Sequence, residues 1–140
     1  MYQLRPSDED DFEFLYDLHR QAMHDYVQSL WGWDEEDQIQ RFRTYFDSNP
    51  LDVIMVSGAK VGMLHVKHSG EELEIVNIEI APEHQGQGIG SMVLEDLLKR
   101  SKSAKLQVLK VNLGAARLYK RLGFITHAES ETHYLMSLDH

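Results

Sequence analysis

Two short segments carry residues whose types and spacing suit chemistry. The first is Ile78-Glu79-Ile80-Ala81-Pro82-Glu83-His84-Gln85-Gly86-Gln87-Gly88-Ile89-Gly90-Ser91. Its alternating apolar run stops at a proline and crosses three closely spaced glycines. Val93, Leu94, Leu97 and Leu98 then recur at helical spacing. That order reads as a strand, a bare-backbone loop and a helix start. A helix start presents unpaired N–H groups and a partial positive charge, which suits a phosphate. Glycines let the backbone come close to such a guest because no Cβ intervenes. The loop is not the dinucleotide fingerprint, since Gln85 stands where the first glycine is needed. It is not a Walker loop either, since no Lys-Ser or Lys-Thr follows Gly90. Taken alone it reads equally well as an ordinary tight strand-to-helix turn.

The second segment is Asn112-Leu113-Gly114-Ala115-Ala116-Arg117-Leu118-Tyr119-Lys120-Arg121-Leu122-Gly123-Phe124, after a strand pattern over Leu106–Val111. Asn112 suits an N-cap and Gly123 a C′ position, bracketing a short helix with Ala115, Leu118 and Leu122 inward. Tyr119 falls one residue round from that stripe, so its ring can pack while its hydroxyl reaches a cleft or water.

At this spacing the two segments together resemble the GNAT superfamily of acyl-CoA-dependent N-acetyltransferases. Gln85-x-x-Gly88-x-Gly90 matches that family's pyrophosphate-binding signature. Asn112, Ala115-Ala116, Leu118-Tyr119 and Leu122-Gly123-Phe124 match its second cofactor motif. The resemblance spans about residues 50–138, with a looser match to Leu4-Arg5-Pro6 and the helix that follows. It implies one α/β domain over residues 1–140, a mixed and mostly antiparallel sheet with a splayed central parallel strand pair, flanked by helices. It also implies acetyl-CoA as acetyl donor and no metal. The backbone of Ile78 and Ile80 would pair with the pantetheine arm, and one N–H would polarise the thioester carbonyl. Gln85, Gly86, Gln87, Gly88, Ile89, Gly90 and Ser91 would form the pyrophosphate loop. Asn112, with Ala115 beside it, would hold the arm, and Tyr119 would hydrogen-bond the departing thiolate.

In that chemistry an amine attacks the thioester directly, and no protein nucleophile is needed. A primary ammonium of pKa ~10.4 must first lose a proton, at about 4–5 kcal/mol at pH 7, whereas an α-amino group costs about 1. Glu74 is the first candidate base, because some family members carry a glutamate or histidine at that strand position. Asn77 and Glu79 are alternatives, since a strand bulge would change which face they occupy. Glu74 reads equally as a solvated charge after Glu71-Glu72. The acceptor wall is expected between the first two helices, in Tyr26-Val27-Gln28-Ser29-Leu30-Trp31-Gly32-Trp33-Asp34. Tyr26, Trp31, Trp33 and Asp34 there would favour a cation. The expected activity is N-acetylation of a small-molecule or peptide amine. A protein N-terminal or lysine acetyltransferase, and a non-catalytic acyl-CoA sensor, are the competing readings.

The rest of the chain must position these groups. Its 140 residues suffice for one domain with a core. The absence of cysteine excludes disulfides, thiolate metal sites and a cysteine nucleophile. Neither a signal peptide nor an apolar run near ~20 residues is evident, so a cytoplasmic protein off the membrane is expected. The net charge of −9 argues against broad nucleic-acid binding and suits a cationic acceptor. CoA is itself anionic, and Lys99, Arg100, Lys102, Arg117, Lys120 and Arg121 are the candidates to offset the overall field. The eight histidines show no metal spacing, and most read as surface residues. A homodimer is compatible with the family.

Along the chain, Tyr2–Leu4 reads as a strand. Ser7-Asp8-Glu9-Asp10 reads as a capping box before a helix with Phe14, Leu15, Leu18 and Ala22. A second helix follows Asp34 and stops at Asn49-Pro50. Val53–Val56 and Val61–Val66 form a hairpin, and Leu73–Ala81 is the central strand. Phe124–Ala128 and His133–Leu138 close the chain as antiparallel strands.

Overall fold

Each alternating apolar run forms a strand and each run at helical spacing forms a helix. The computed structural model describes residues 1–139. In chain order the elements are β1 (Tyr2–Pro6), α1 (Phe12–Leu30), α2 (Glu35–Ser48), β2 (Asp52–Val56), β3 (Ala59–Ser69), β4 (Glu72–Ile80), α3 (Ile89–Lys99), β5 (Ser103–Leu109), α4 (Leu113–Arg121), β6 (Ile125–Glu129) and β7 (His133–Asp139). The strands form one sheet in the order β1-β2-β3-β4-β5-β7-β6. The β1–β2, β2–β3, β5–β7 and β6–β7 pairs are antiparallel, and β4–β5 is parallel. This is the expected mixed, mostly antiparallel α/β sheet. The parallel ladder runs from Glu72–Ser103 to Ile75–Leu106. Beyond it β4 continues to Ile80 and β5 to Leu109.

The chain forms two compact units, one of Met1–His65 with Asn77–Ile89, the other of Val66–Val76 with the residues from Gly90 onward. In the first, Leu15 and Leu18 of α1 and Phe42 of α2 bury against Leu51, Val53, Met63 and Ala81. Phe12 and Tyr16 lie tilted against the Phe42 ring, and Phe46 meets Phe12 edge-on. The β2–β3 hairpin turns at Ser57-Gly58, both with positive φ, so β3 begins earlier than the hydrophobic pattern indicates. At Gly62 a Cβ would lie 2.5 Å from the Glu79 carbonyl oxygen and 3.0 Å from Ile80 Cδ1. That close approach brings β3 against the second half of β4.

The capping box lies one residue later than expected. Asp8 is the N-cap of a 3-10 turn over Glu9–Asp11, and the Asp11 carboxylate accepts from the Asp8 N–H at 2.9 Å. Asp11 is buried. It also accepts a two-pronged pair from Arg5 at 2.8 and 3.0 Å and lies 2.7 Å from Lys60 Nζ. The Arg5 guanidinium, then Lys60, hold its carboxyl far below the usual carboxylate range against the opposing effect of burial.

In the second unit α3 buries Val93, Leu94, Leu97 and Leu98, as its spacing predicts. β5 pairs with β7 over Ser103–Leu109. It starts three residues before the expected strand, because Ser103 and Ala104 continue the ladder despite weak strand propensity. β6 is exposed throughout, and its register shifts at Thr126/Ala128. Among the described residues no helix is long and apolar enough to cross a membrane.

Candidate functional site

The glycine loop is shaped by conformation more than by crowding. After β4, Pro82–His84 makes one 3-10 turn, and the Gln85 side chain donates to the Ile80 carbonyl at 2.9 Å. Gln85 therefore ties the loop back to the strand that leads into it. Gly86 and Gly88 take φ of +79° and +78°, in the left-handed region. A Cβ at either would meet nothing within 4 Å, so what these positions ask of glycine is backbone conformation. Gln87 is exposed, while Ile89 is buried and anchors the first turn of α3. Gly90 and Ser91 follow in that turn, where the leading N–H groups of a helix lack intrahelical acceptors.

The basic residues divide unevenly about this end. Lys99 sits in the last turn of α3, about 15 Å along the axis from the helix start. Arg100 and Lys102 follow it, and Lys102 pairs with Glu71 at 3.0 Å. These three thus lie toward the end of α3 opposite the glycine loop. Arg117, Lys120 and Arg121 are exposed on α4.

Helix α4 is bracketed as expected. The Asn112 side chain accepts from the Ala115 N–H at 3.2 Å, and Gly123 follows the C-cap with φ +105°. Its buried stripe is centred one residue from the expected one. Ala116 and Tyr119 are buried, while Ala115, Leu118 and Leu122 flank them half-buried. Tyr119 is thus on the stripe, 7% exposed, with its ring edge-on to Phe124 at 5.9 Å. Burial pushes its hydroxyl pKa up to about 12. The hydroxyl makes no hydrogen bond among the described residues.

On β4, Glu74 is half-buried and lies in register with Lys105. Asn77, Ile78 and Ile80 are half-buried. Glu79 differs: it is 5% exposed, and its Oε2 lies 3.0 Å from His19 Nδ1 of α1. Its Oε1 is buried with no hydrogen-bond partner among the described residues. The His19 ring stacks on Phe42 at 5.2 Å and 24°. Tyr45 lies beside Phe42 and hydrogen-bonds His65 Nδ1 through its hydroxyl. The Tyr45 hydroxyl pKa is raised by burial and, secondarily, by the negative charge of Glu79. His65 is buried and is therefore an exception to the surface placement expected of the histidines. No motif in the sequence marks His19 or Tyr45 as a neighbour of Glu79. The available signal was polar groups at core spacing, His19 falling four residues after Leu15 on α1.

The expected acceptor segment is less of a loop than anticipated. Tyr26–Leu30 belongs to the last turns of α1, and 31–34 alone join it to α2. Trp31 is 63% exposed. Trp33 is half-buried, donates Nε1–H to Glu35 at 3.3 Å and packs on His24 at 5.1 Å. Asp34 caps α2, accepting from the Asp37 N–H at 3.0 Å. Glu35, which no sequence motif marks, also accepts from the Tyr16 hydroxyl. These bonds, Tyr16 first, lower its carboxyl pKa. Trp33 and Glu35 are thus held to each other, while Trp31 is open to solvent and Asp34 serves as the cap of α2.

Residues 12–124 match the model of the Acetyltransferase (GNAT) family, and the chain belongs to it. It is 33% identical over 85 residues to the streptothricin acetyltransferase of Streptomyces lavendulae, a match covering 56% of this chain and 45% of that protein. It is 41% identical over 63 residues to the uncharacterized N-acetyltransferase YobR of Bacillus subtilis (strain 168), covering 41% of this chain and 25% of that one. These matches thus span less than half the length of either curated relative. Among solved structures, PaiA N-acetyltransferase of Thermoplasma acidophilum with coenzyme A aligns over 100% of this chain and 99% of its own, with TM-score 0.77 and 15% identity. Spermidine N-acetyltransferase of Vibrio cholerae with CoA and spermine aligns over 99% and 95%, with TM-score 0.70 and 19% identity. At these identities the structural likenesses show the fold alone.

Proposed function

We propose that this chain transfers the acetyl group of acetyl-CoA directly to a primary amine of a small molecule or peptide. The observation that carries the reading is the loop from Gln85 to Ser91. Two left-handed glycines leave the backbone bare ahead of α3, within the span 12–124 that matches the GNAT acetyltransferase family. Amides of Gly86, Gly88, Gly90 and Ser91 would bind the pyrophosphate, each charged hydrogen bond contributing about 1.5–3 kcal/mol and the helix end ~0.3–1. Ile78 and Ile80 lie past the end of the parallel ladder, and their backbone would pair with the pantetheine arm. Asn112, already capping α4, would face that arm with Ala115.

In the reaction the neutral amine attacks the thioester carbon, a C–N bond forms and the C–S bond breaks. One proton of the original ammonium leaves to solvent and another accompanies the thiolate to give CoA thiol. Tyr119 would donate its hydroxyl hydrogen bond to the departing sulfur. With its pKa raised to about 12 and a thiol near 8.5, complete proton transfer is uphill by about 5 kcal/mol. Its contribution is therefore a hydrogen bond to the developing thiolate. The acceptor would approach from the Tyr26, Trp31, Trp33 and Asp34 region, where Trp33 and the acids near it suit a cation.

The relatives' names guide the test. Thiol release from acetyl-CoA is measured with streptothricin, spermine, a peptide with a free N-terminus and an N-blocked lysine peptide. Release with the first two supports a small-molecule enzyme, and release with a peptide alone moves the assignment to a protein acetyltransferase. Tight acetyl-CoA binding with no release for any amine supports an acyl-CoA sensor and overturns the proposal.

A further inference from the structure

Helices α1 and α2 are joined by residues 31–34 alone, and one carboxylate ties the joint together. The backbone there is set by local bonds. Gly32 takes φ +83°, the Trp33 N–H donates to Gln28 Oε1 at 2.9 Å, and Asp34 caps α2. The Trp33 ring is then held at two points. It lies against the His24 ring at 5.1 Å and donates Nε1–H to Glu35 Oε1 at 3.3 Å. The other oxygen, Glu35 Oε2, accepts from the Tyr16 hydroxyl. The Tyr16 ring in turn is tilted on the buried Phe42 at 5.7 Å. Tyr16 and His24 stand eight residues apart on one face of α1, about 12 Å along its axis. Glu35 therefore links the Trp33 indole to the core between the helices, with both carboxylate oxygens engaged. An aromatic ring held in one pose has little freedom left to lose when a ligand docks on it, which favours binding.

We propose that Glu35 is a positioning residue for the acceptor, fixing the Trp33 indole in the pose that receives the acceptor's positive group. The inference rests on the acetyl-transfer reading above, with Trp33 in the acceptor region. Glu35 takes no part in making or breaking bonds. It acts through Trp33, so its contribution is the same before reaction and in the transition state. Such uniform binding sets KM and leaves kcat unmoved. Because the tie runs through Tyr16, a ring packed on the core between the helices also bears on how tightly the acceptor is held.

The test compares Glu35→Ala, Glu35→Gln and Tyr16→Phe with the wild type, using the panel amine that the wild type acetylates best. Glu35→Ala frees the indole, so acceptor KM should rise ~5–30-fold, with kcat within about twofold and acetyl-CoA affinity unchanged. Glu35→Gln keeps a carbonyl oxygen for the Trp33 N–H and an amide that can donate to the Tyr16 oxygen, so its KM should stay within about threefold of wild type. Tyr16→Phe removes one of the two bonds and should raise KM by ~2–10-fold. Indole emission supplies an independent readout. In the Trp31→Phe protein, where Trp33 is the one tryptophan left, Glu35→Ala should move the emission to longer wavelength and Glu35→Gln should not. If Glu35→Ala does not fold, Tyr16→Phe carries the test. An unchanged acceptor KM in the folded variant, or a loss lying in kcat or acetyl-CoA affinity, overturns this inference alone. So does a Glu35→Gln that loses as much as Glu35→Ala with Trp33 emission unmoved, since the charge itself would then be the contact. A wild type that acetylates no amine overturns the acetyl-transfer reading and this inference with it.

Discussion

Removing one oxygen from Tyr119 separates its chemistry from its packing. The ring is 7% exposed and lies edge-on to Phe124 at 5.9 Å, and Tyr119→Phe retains all of that contact. The hydroxyl makes no hydrogen bond among the described residues, so its loss leaves no protein group newly unpaired, and stability should change by less than about 1 kcal/mol. A donor aimed at developing negative charge in a buried position contributes about 2.7–4 kcal/mol, and partial charge on sulfur reduces this, so turnover should fall ~10–1,000-fold. Because burial holds the hydroxyl pKa up at about 12, the wild type keeps this donor protonated across pH 7–10. No loss of activity in that range should then trace to Tyr119. The same shift has a stability consequence. The folded value exceeds the unfolded ~10, so folding favours the protonated form. That stabilisation is complete below pH ~10 and is lost as pH rises through about 12. The assay is thiol release at saturating acetyl-CoA, with acetyl-CoA affinity from calorimetry and stability from urea melts. Undiminished kcat in the Phe variant, or a loss that lies wholly in acetyl-CoA affinity, refutes the thiolate role.

Further outcomes follow from the loop, the acceptor segment and the Asp11 cluster. Gly88→Asp puts a side chain at φ +78° and a charge beside the pyrophosphate, so calorimetry should show acetyl-CoA affinity weakened ~10–100-fold in a folded protein. Trp33→Ala should raise the acceptor KM by up to roughly 30-fold while acetyl-CoA binding holds, as expected for a lost cation–π contact. Asp11→Asn removes the charge that pairs with Arg5 and Lys60 and should cost about 2–4 kcal/mol, read as a Tm lower by roughly 5–15 °C. Asp11 is depressed in the folded state, so its contribution is present above the unfolded pKa of ~3.9 and fades as pH falls further. The wild type's acid destabilisation should therefore include a component that Asp11→Asn lacks.

Local pattern revealed the elements, and it blurred where partners decide. The glycine loop, the Asn112 cap and Gly123 were legible because each depends on backbone chemistry within a few residues. The capping box shifted from Ser7 to Asp8 because Asp11 is held by Arg5 and Lys60, one of them far off in sequence. β5 began early because β7 extends the ladder to Ser103. Tyr119 sits at the centre of its stripe rather than its edge, a one-position error that a nine-residue helix gives little periodicity to correct. In the sequence Glu79 stands with Asn77 as an alternative behind Glu74 on the same strand. Its partner His19 is 60 residues away, and nothing in the local pattern links them.

The central claim, direct transfer to an amine, is tested most directly by acetyl accounting. The protein is incubated with acetyl-CoA alone and then with an amine acceptor, while free CoA, the acetylated amine and the protein's mass are followed together. Direct transfer requires that no CoA is released and no acetyl adduct forms on the protein before the amine is added. One CoA should then appear for each acetylated amine. An acetylated protein formed before the amine arrives, or CoA released without acetylated amine, would contradict it.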